Sequence, residues 1–510
     1  MNIARLISES AARRPEKPAL VFEGKSYSYG EVDRRIALYA QALESLGVRK
    51  GDRVAVQTGK RPDFLFLHFG VLALGAVTLP LNSDYKGSEV AYFLEDSQAS
   101  LFVTTCDLYK RAASELERLS GLKIAVLDEG DVNAVDFSAA LATCSGDFAP
   151  KWPTAECDAA MFCYTSGTTG RSKGAMITHG NLAANTLALQ EAWKWSENDI
   201  LLHVLPLFHV HGLNVAATGS LIVGATIIMH DRFEPARCWR SLEKEGCTLL
   251  MAVPTIYQRL VNEWENLDPR PDLSGMRVFI SGSAPLSDNL FNRFEKCTGF
   301  RILERYGMTE TGMITSNSIE MEGRKAKSVG FPLPGVSVQI ASPDGSPALP
   351  GNVGEVWIKG PNVFSGYWNM PDKTAESFTD GWFKSGDMGY MDPADKGRLY
   401  LGGRGKELII TGGYNVYPKE IENILESHSA VREVAVVGVA DDDFGELVTA
   451  AVVLAEGSES TTAEELLALC KKNLAGYKCP KEIRFVEGLP RNAMGKIQKN
   501  ILADLFSSKV

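Results

Sequence analysis

Tyr164-Thr165-Ser166-Gly167-Thr168-Thr169-Gly170-Arg171-Ser172-Lys173-Gly174-Ala175 follows the apolar run Ala159-Ala160-Met161-Phe162-Cys163. The apolar run reads as a buried strand. The Ser/Thr/Gly stretch reads as a loop leaving it, with a helical pattern from Asn181 onward. Glycines let the backbone turn its N–H groups toward a ligand. The hydroxyls add donors, and Arg171 and Lys173 add positive charge. That combination makes an anion site, most often for phosphate. A surface linker needs neither the strand nor the two bases. The P-loop pattern does not fit, because neither Gly167 nor Gly170 is followed at the required spacing by Gly-Lys. Gly170-Arg171-Ser172-Lys173-Gly174 matches the hydrolase elbow G-x-S-x-G by accident. A charged residue flanks the Ser on each side, inside a phosphate-type loop.

The chain has 510 residues, more than one core usually holds, so two or more domains are expected. Hydrophobic content of 45% and charged content of 23% fit a soluble globular enzyme. A net charge of −10 argues against nucleic acid or anionic membrane as the main partner. The nine cysteines are scattered without a C-x-x-C pair, which fits reduced cytosolic thiols rather than disulfides or zinc. Met1 to Leu20 lacks the apolar region of a signal peptide, and the longest apolar runs are too short to span a bilayer. A cytoplasmic protein is expected, as monomer or homodimer.

Helix and strand signals alternate from Met1 to about Pro150, which predicts α/β layers with a largely parallel sheet. Further on, Leu205-Pro206-Leu207-Phe208-His209-Val210-His211-Gly212-Leu213 sets two histidines among apolar residues. No second ligand cluster accompanies them. Arg277 to Ile280 reads as a strand running into Ser281-Gly282-Ser283-Ala284-Pro285, small residues that let a flat ligand approach the backbone. Arg301-Ile302-Leu303 reads as a strand leading to Glu304-Arg305-Tyr306-Gly307-Met308-Thr309-Glu310. Gly366-Tyr367-Trp368 follows. Then Trp382 to Asp387 sets a carboxylate after a turn, and Gly402-Gly403-Arg404-Gly405-Lys406 suits a hinge.

The Ser/Thr/Gly loop and the Glu304–Glu310 segment closely resemble the signatures of the adenylate-forming superfamily: acyl-CoA synthetases, luciferases and peptide-synthetase adenylation domains. The resemblance covers essentially the whole chain, with the motifs in the family's order. It implies an α/β fold. Residues 1–403 form a large domain of layered α/β sheets that binds ATP and the acyl group. Residues 404–510 form a small mobile α+β lid, with the hinge at Lys406. Thr165, Ser166, Gly167, Thr168, Thr169, Gly170 and Lys173 are implied to hold the β/γ-phosphates of ATP. Ser283, Ala284 and Pro285 form the adenine wall. Glu304, Arg305, Tyr306, Gly307, Met308 and Thr309 run along the nucleotide; Tyr306 stacks on adenine and Thr309 meets the α-phosphate. Thr165 and Glu310 offer hard oxygens to Mg²⁺. Asp387 takes the ribose hydroxyls, and Arg404 the ribose or phosphate. Pro490-x-x-x-x-Gly495-Lys496 matches the family's catalytic lysine, and Gly412, Gly413 and Tyr414 line the thiol tunnel.

The implied chemistry has two half-reactions. A carboxylate attacks the α-phosphorus of ATP to give acyl-AMP and pyrophosphate. A thiol then attacks the acyl carbon and releases AMP. Catalysis is mainly positioning and electrostatics, by Lys496, Thr309, Glu310 and His209. No carrier-protein segment follows Lys496 in this sequence, so free coenzyme A is the expected acceptor. His209 stands where amino-acid-activating relatives carry an Asp. The pairing of Phe208 to Gly212 with Leu303 to Gly307 resembles the malonyl-CoA synthetases. A buried Arg305 is costly unless an anion meets it, and a guanidinium forks onto a carboxylate. Ser283 and a histidine, His209 or His211, complete the grip on a second carboxylate. The alternative is that Arg305 points away and pairs with an acid such as Glu304. Other readings are a synthetase for a medium-chain or aromatic monocarboxylate or for oxalate, and an adenylating protein without thiolation.

Overall fold

In a computed structural model of the chain, the described residues are 2–145, 152–165, 172–404, 407, 409–411, 414–416, 418–441, 444–474, 476–492 and 495–507. The fold is mixed α/β, with a large amino-terminal domain and a small carboxy-terminal one. A 14-stranded sheet and an eight-stranded sheet make up the large domain, and a five-stranded sheet lies in the small one. In the eight-stranded sheet, Arg53–Gln57, Val77–Pro80, Leu101–Thr104, Lys123–Val126 and Ala159–Thr165 are joined by parallel pairings. Helices pack against this sheet, as the alternating pattern predicts. Pro62–Ala73 is an almost wholly buried helix, and Tyr29–Ser45 starts on a capping box in which Ser28 and Glu31 satisfy each other's backbone N–H groups.

The Ser/Thr/Gly stretch departs from the strand–loop–helix expectation. Lys173–Thr178 is itself a strand, antiparallel to Ala159–Thr165, with Thr165 opposite Lys173 and Tyr164 opposite Gly174. Thr165 and Lys173, the residues on either side of the Ser/Thr/Gly segment, therefore face each other across paired strands. The helix that follows starts at His179, two residues earlier than the apolar pattern indicates, because Thr178 caps it: its Oγ1 accepts the Asn181 N–H at 3.1 Å. Two phenols brace the hairpin: Tyr164 Oη donates to Asp96 Oδ2 at 2.5 Å, and Tyr92 Oη to the Ser172 carbonyl at 2.7 Å.

In the large sheet, the strands Ile200–His203, Leu249–Ala252, Val278–Ser281 and Leu303–Met308 run parallel. The expected strand at Arg301 begins two residues later, so the Glu304–Met308 motif is itself strand rather than the turn after one. Its far side pairs antiparallel with Gly312–Ser316. Asp387 likewise lies within the long strand Trp382–Asp392, not after a turn. Gly386 supplies the kink, with φ of +72°. The carboxyl ends of the parallel strands open on one side of the sheet, where ligands of open α/β sheets bind.

The opposite ends of these strands are locked by a charge network. Asp199, 4% exposed as a side chain, takes a two-pronged bond from Arg277: Nε and the second Nη each lie 2.9 Å from a carboxylate oxygen. Thr248 Oγ1 also donates to Asp199 at 2.8 Å, and Arg277 reaches the Trp193 carbonyl at 2.8 Å. Removing the cation strands a buried carboxylate. Arg277→Ala is expected to lower stability by about 3 kcal/mol, measured by denaturant titration. A change within experimental error would show that the network does not lock the strands.

Candidate active site

Of the two expected histidines, His211 opens an unusual turn and His209 lies just before it. His211–Thr218 is a π-helix of eight residues, a form often found at functional sites. Gly212 makes the turn possible. A Cβ there would lie 1.9 Å from the Pro206 carbonyl oxygen. The Gly212 carbonyl is in turn bonded to His203 Nε2 at 2.9 Å. His211 is buried, and its Nδ1 is hydrogen-bonded to Ser283 Oγ at 3.2 Å. Ser283 holds a left-handed backbone, φ +69°, which costs a non-glycine residue about 1 kcal/mol. Burial, and second the charge of Arg305, pull the His209 pKa down to about 4 and that of His211 well below its ordinary value. Both imidazoles are neutral at pH 7.

Arg305 completes this cluster. It is 2% exposed, and none of its three guanidinium nitrogens has a hydrogen-bond partner among the described residues. Burial lowers its pKa to about 9, which leaves it cationic at neutral pH. Gly282 forms its seat: a Cβ at that position would lie 2.4 Å from Arg305 Cζ. The alternative pairing with Glu304 is not what the chain does. Neighbours on a strand point to opposite faces, and the Glu304 carboxylate accepts the Leu286 N–H at 3.0 Å. Burial raises the Glu304 pKa to about 8, against the smaller pull of that N–H and of Lys419.

On the nucleotide side, Tyr306 Oη donates to Asp387 Oδ2 at 2.5 Å, which joins the two residues expected at adenine and ribose. Glu310 Oε1 accepts from Tyr367 Oη at 3.0 Å and lies 3.5 Å from Thr165 Oγ1, so the two expected metal ligands are neighbours. Thr309 lines a small cavity of about 20 Å³ beside Asn185 and Asn214. Met308 and Gly307 end the strand that carries Arg305 and Tyr306. Ala284 and Pro285 lie between Ser283 and Leu286, whose N–H meets Glu304. Arg404 pairs with Asp387 in the strand ladder, and Tyr414 with Thr411.

Lys496 is exposed on a turn closed by the Asn492 N–H to the Lys496 carbonyl at 2.9 Å and the Lys496 N–H to Asn492 Oδ1 at 3.0 Å. The turn rests against the large domain: a Cβ at Gly495 would lie 3.8 Å from Thr255 Oγ1. Ser166, Gly167, Thr168, Thr169, Gly170, Lys406, Gly412 and Gly413 lie outside the described residues. Sequence reasoning missed Gly282 as a seat and Tyr367 as a partner of Glu310. Each stood beside a motif residue, but nothing local marks a contact made across the fold. Among the described residues, no helix is long and apolar enough to cross a membrane, and no cluster of three or more His, Cys, Asp or Glu could hold a metal ion.

Residues 7–368 match the family described as AMP-binding enzyme, and residues 420–496 match the AMP-binding enzyme C-terminal domain. The chain belongs to the AMP-binding enzyme family, and within it to the AMP-forming acyl-CoA synthetases. It is 35% identical to a long-chain-fatty-acid–CoA ligase of Bacillus subtilis, over 99% of this chain and 94% of that one. It is also 35% identical to a mitochondrial malonate–CoA ligase of Mus musculus, over 97% and 89% of the two chains. The crystal structure of ATP-bound MatB from Rhodopseudomonas palustris superposes with a TM-score of 0.91 at 40% identity, over 99% of each chain.

Glu304 gives a pH test. Its folded pKa, about 8, lies above the ordinary carboxylate value, so the folded state holds a proton that the unfolded state has lost. Stability therefore falls as pH rises through the window from about 4.5 to 8. Glu304→Gln keeps the acceptor for the Leu286 N–H without the proton. Its melting temperature is expected to gain on wild type steadily between pH 5 and pH 8. Parallel pH profiles of the two proteins would contradict this.

Proposed function

We propose that the enzyme activates malonate: malonate, ATP and CoA give malonyl-CoA, AMP and diphosphate. The observation that carries this reading is the buried Arg305 guanidinium, which has no hydrogen-bond partner among the described residues. A monocarboxylate leaves that cation buried and unpaired, which is costly. A second carboxylate satisfies it with a forked, charge-assisted bond. The neutral imidazoles of His209 and His211 and the Ser283 hydroxyl add donors without adding charge. Overall identity does not choose the acid, because the fatty-acid and malonate relatives are equally distant, at 35%. The local cation favours malonate.

The remaining residues take their roles around that anchor. The reacting carboxylate is held facing the α-phosphate of ATP, near Thr309. Tyr306 offers its ring to adenine, and Asp387 takes the ribose hydroxyls as well as the Tyr306 hydroxyl. The segment from Thr165 to Lys173 holds the β/γ-phosphates. Glu310 and Thr165 are hard oxygen donors placed side by side, and they fit Mg²⁺, which takes one or two protein ligands and otherwise phosphate oxygens and water. When bound, the ion neutralises phosphate charge. Lys496 bridges carboxylate and phosphate oxygens in the first half-reaction. The small domain, residues 404–510, then turns about Lys406. That motion withdraws Lys496 and brings Gly412, Gly413 and Tyr414 to the thiol of CoA.

The test is acyl-CoA formation across malonate, methylmalonate, acetate, octanoate and benzoate. Malonate is expected well ahead. Arg305→Ala should lower its kcat/KM at least about 100-fold, as loss of two charge-assisted bonds requires, while acetate turnover changes little. Gly282→Ala pushes the guanidinium from its seat and should cost malonate about 10- to 100-fold. A monocarboxylate ahead in wild type, unchanged in Arg305→Ala, would overturn the assignment and leave the synthetase class standing.

A further inference from the structure

Gly366-Tyr367-Trp368 has no part in the chemistry described so far, yet it is built into the site. Gly366 and Tyr367 form a short strand on the edge of the hairpin, opposite Met176 and Ala175. The Trp368 N–H continues the pairing to the Gly174 carbonyl at 2.8 Å. Trp368 is anchored away from the site. Its Nε1 donates to the Asp96 carbonyl at 3.0 Å, and its ring lies 5.0 Å from that of Phe162. Alternation along the strand then turns Tyr367 to the other face. There it is 8% exposed, with its ring edge-on to Phe364 at 4.8 Å.

The segment grips Glu310 twice. The Phe364 N–H bonds the Glu310 carbonyl at 2.7 Å, and Tyr367 Oη donates to Glu310 Oε1 at 3.0 Å. The first bond fixes the backbone of Glu310. The second fixes the rotation of its carboxylate. The same Tyr367 ring presents its face to Lys173, whose Nζ lies 5.1 Å from the ring centroid. That is within the range of a cation–π contact. One side chain thus touches the carboxylate at the end of one sheet and the lysine on the hairpin of the other.

We propose that Tyr367 is a positioning residue for the divalent cation of MgATP: its hydroxyl sets the Glu310 carboxylate and its ring sets Lys173. The inference rests on the reading of Glu310 as a Mg²⁺ ligand. Carboxylates that bind metals are themselves held by hydrogen bonds, and loss of such a partner typically weakens metal affinity by 10- to 100-fold. Tyr367→Phe removes only the hydroxyl and keeps the ring, so it separates the two contacts. Tyr367→Leu removes both.

The experiment measures Mn²⁺ binding by electron paramagnetic resonance in the complex with a non-hydrolysable ATP analogue, and binding of the metal-free analogue by calorimetry. Tyr367→Phe is expected to weaken Mn²⁺ about tenfold, with metal-free nucleotide binding and the malonate KM unchanged. The Mg²⁺ concentration for half-maximal adenylation should rise in step. Tyr367→Leu should also weaken the metal-free nucleotide, because Lys173 loses its ring. Glu310→Gln is the control for the underlying reading. If it weakens Mn²⁺ and Tyr367→Phe does not, the positioning role is wrong. If Glu310→Gln leaves Mn²⁺ binding intact, the metal assignment fails and the inference falls with it. A lower melting temperature in Tyr367→Phe with wild-type Mn²⁺ affinity would show a purely structural tyrosine and would also overturn the proposal.

Discussion

A guanidinium buried with no hydrogen-bond acceptor among the described residues is the constraint on which the proposed acyl site depends. Burial pulls the Arg305 pKa down against a smaller opposing influence of Tyr257 and Glu304, and the neighbouring imidazoles are neutral. Such a group is expensive in an empty protein. Its position is nonetheless prepared. Gly282 leaves the volume it fills, and the strand that carries it points Glu304 the other way. On the proposed malonate reading, the second carboxylate of the substrate satisfies this cation, which makes it a specificity group rather than half of a stabilising ion pair.

The nucleotide side follows a different logic. There the polar groups are already joined: Tyr306 to Asp387, Tyr367 to Glu310, and Glu310 close to Thr165. The first lies within the 14-stranded sheet, while Tyr367 and Thr165 reach Glu310 from the eight-stranded one. Groups fixed before the substrate arrives need not reorganise during reaction, which is how electrostatic catalysis lowers a barrier. On the proposed reading, an unmet charge on the acyl side and oriented charges on the nucleotide side are two ways of using the same buried setting: the first would select and the second would align.

Much of this was legible in the sequence, for identifiable reasons. The Ser/Thr/Gly stretch and the Glu304–Glu310 segment carry compact local chemistry. Strand-helix alternation gave the layers, because burial enforces periodicity. The departures have equally specific causes. Lys173–Ala175 read as loop because Gly174 and its polar neighbours mask the start of a strand that only pairing with Ala159–Thr165 reveals. Asp387 after Gly386 looks like a turn, yet one glycine at φ +72° bends a continuous strand. Gly282 and Tyr367 went unread because their meaning lies in partners 23 and 57 residues away, Arg305 and Glu310. No local pattern encodes such a distance.

The claim that Arg305 awaits a second carboxylate is tested most directly by pyrophosphate exchange into ATP with malonate against its monomethyl ester. The two acids share the reacting carboxylate and nearly the same shape, and they differ in the second negative charge. Malonate is predicted to support exchange at least about 100-fold more efficiently, the scale set by an unpaired buried charge. An ester that serves as well as malonate would contradict the account at its centre.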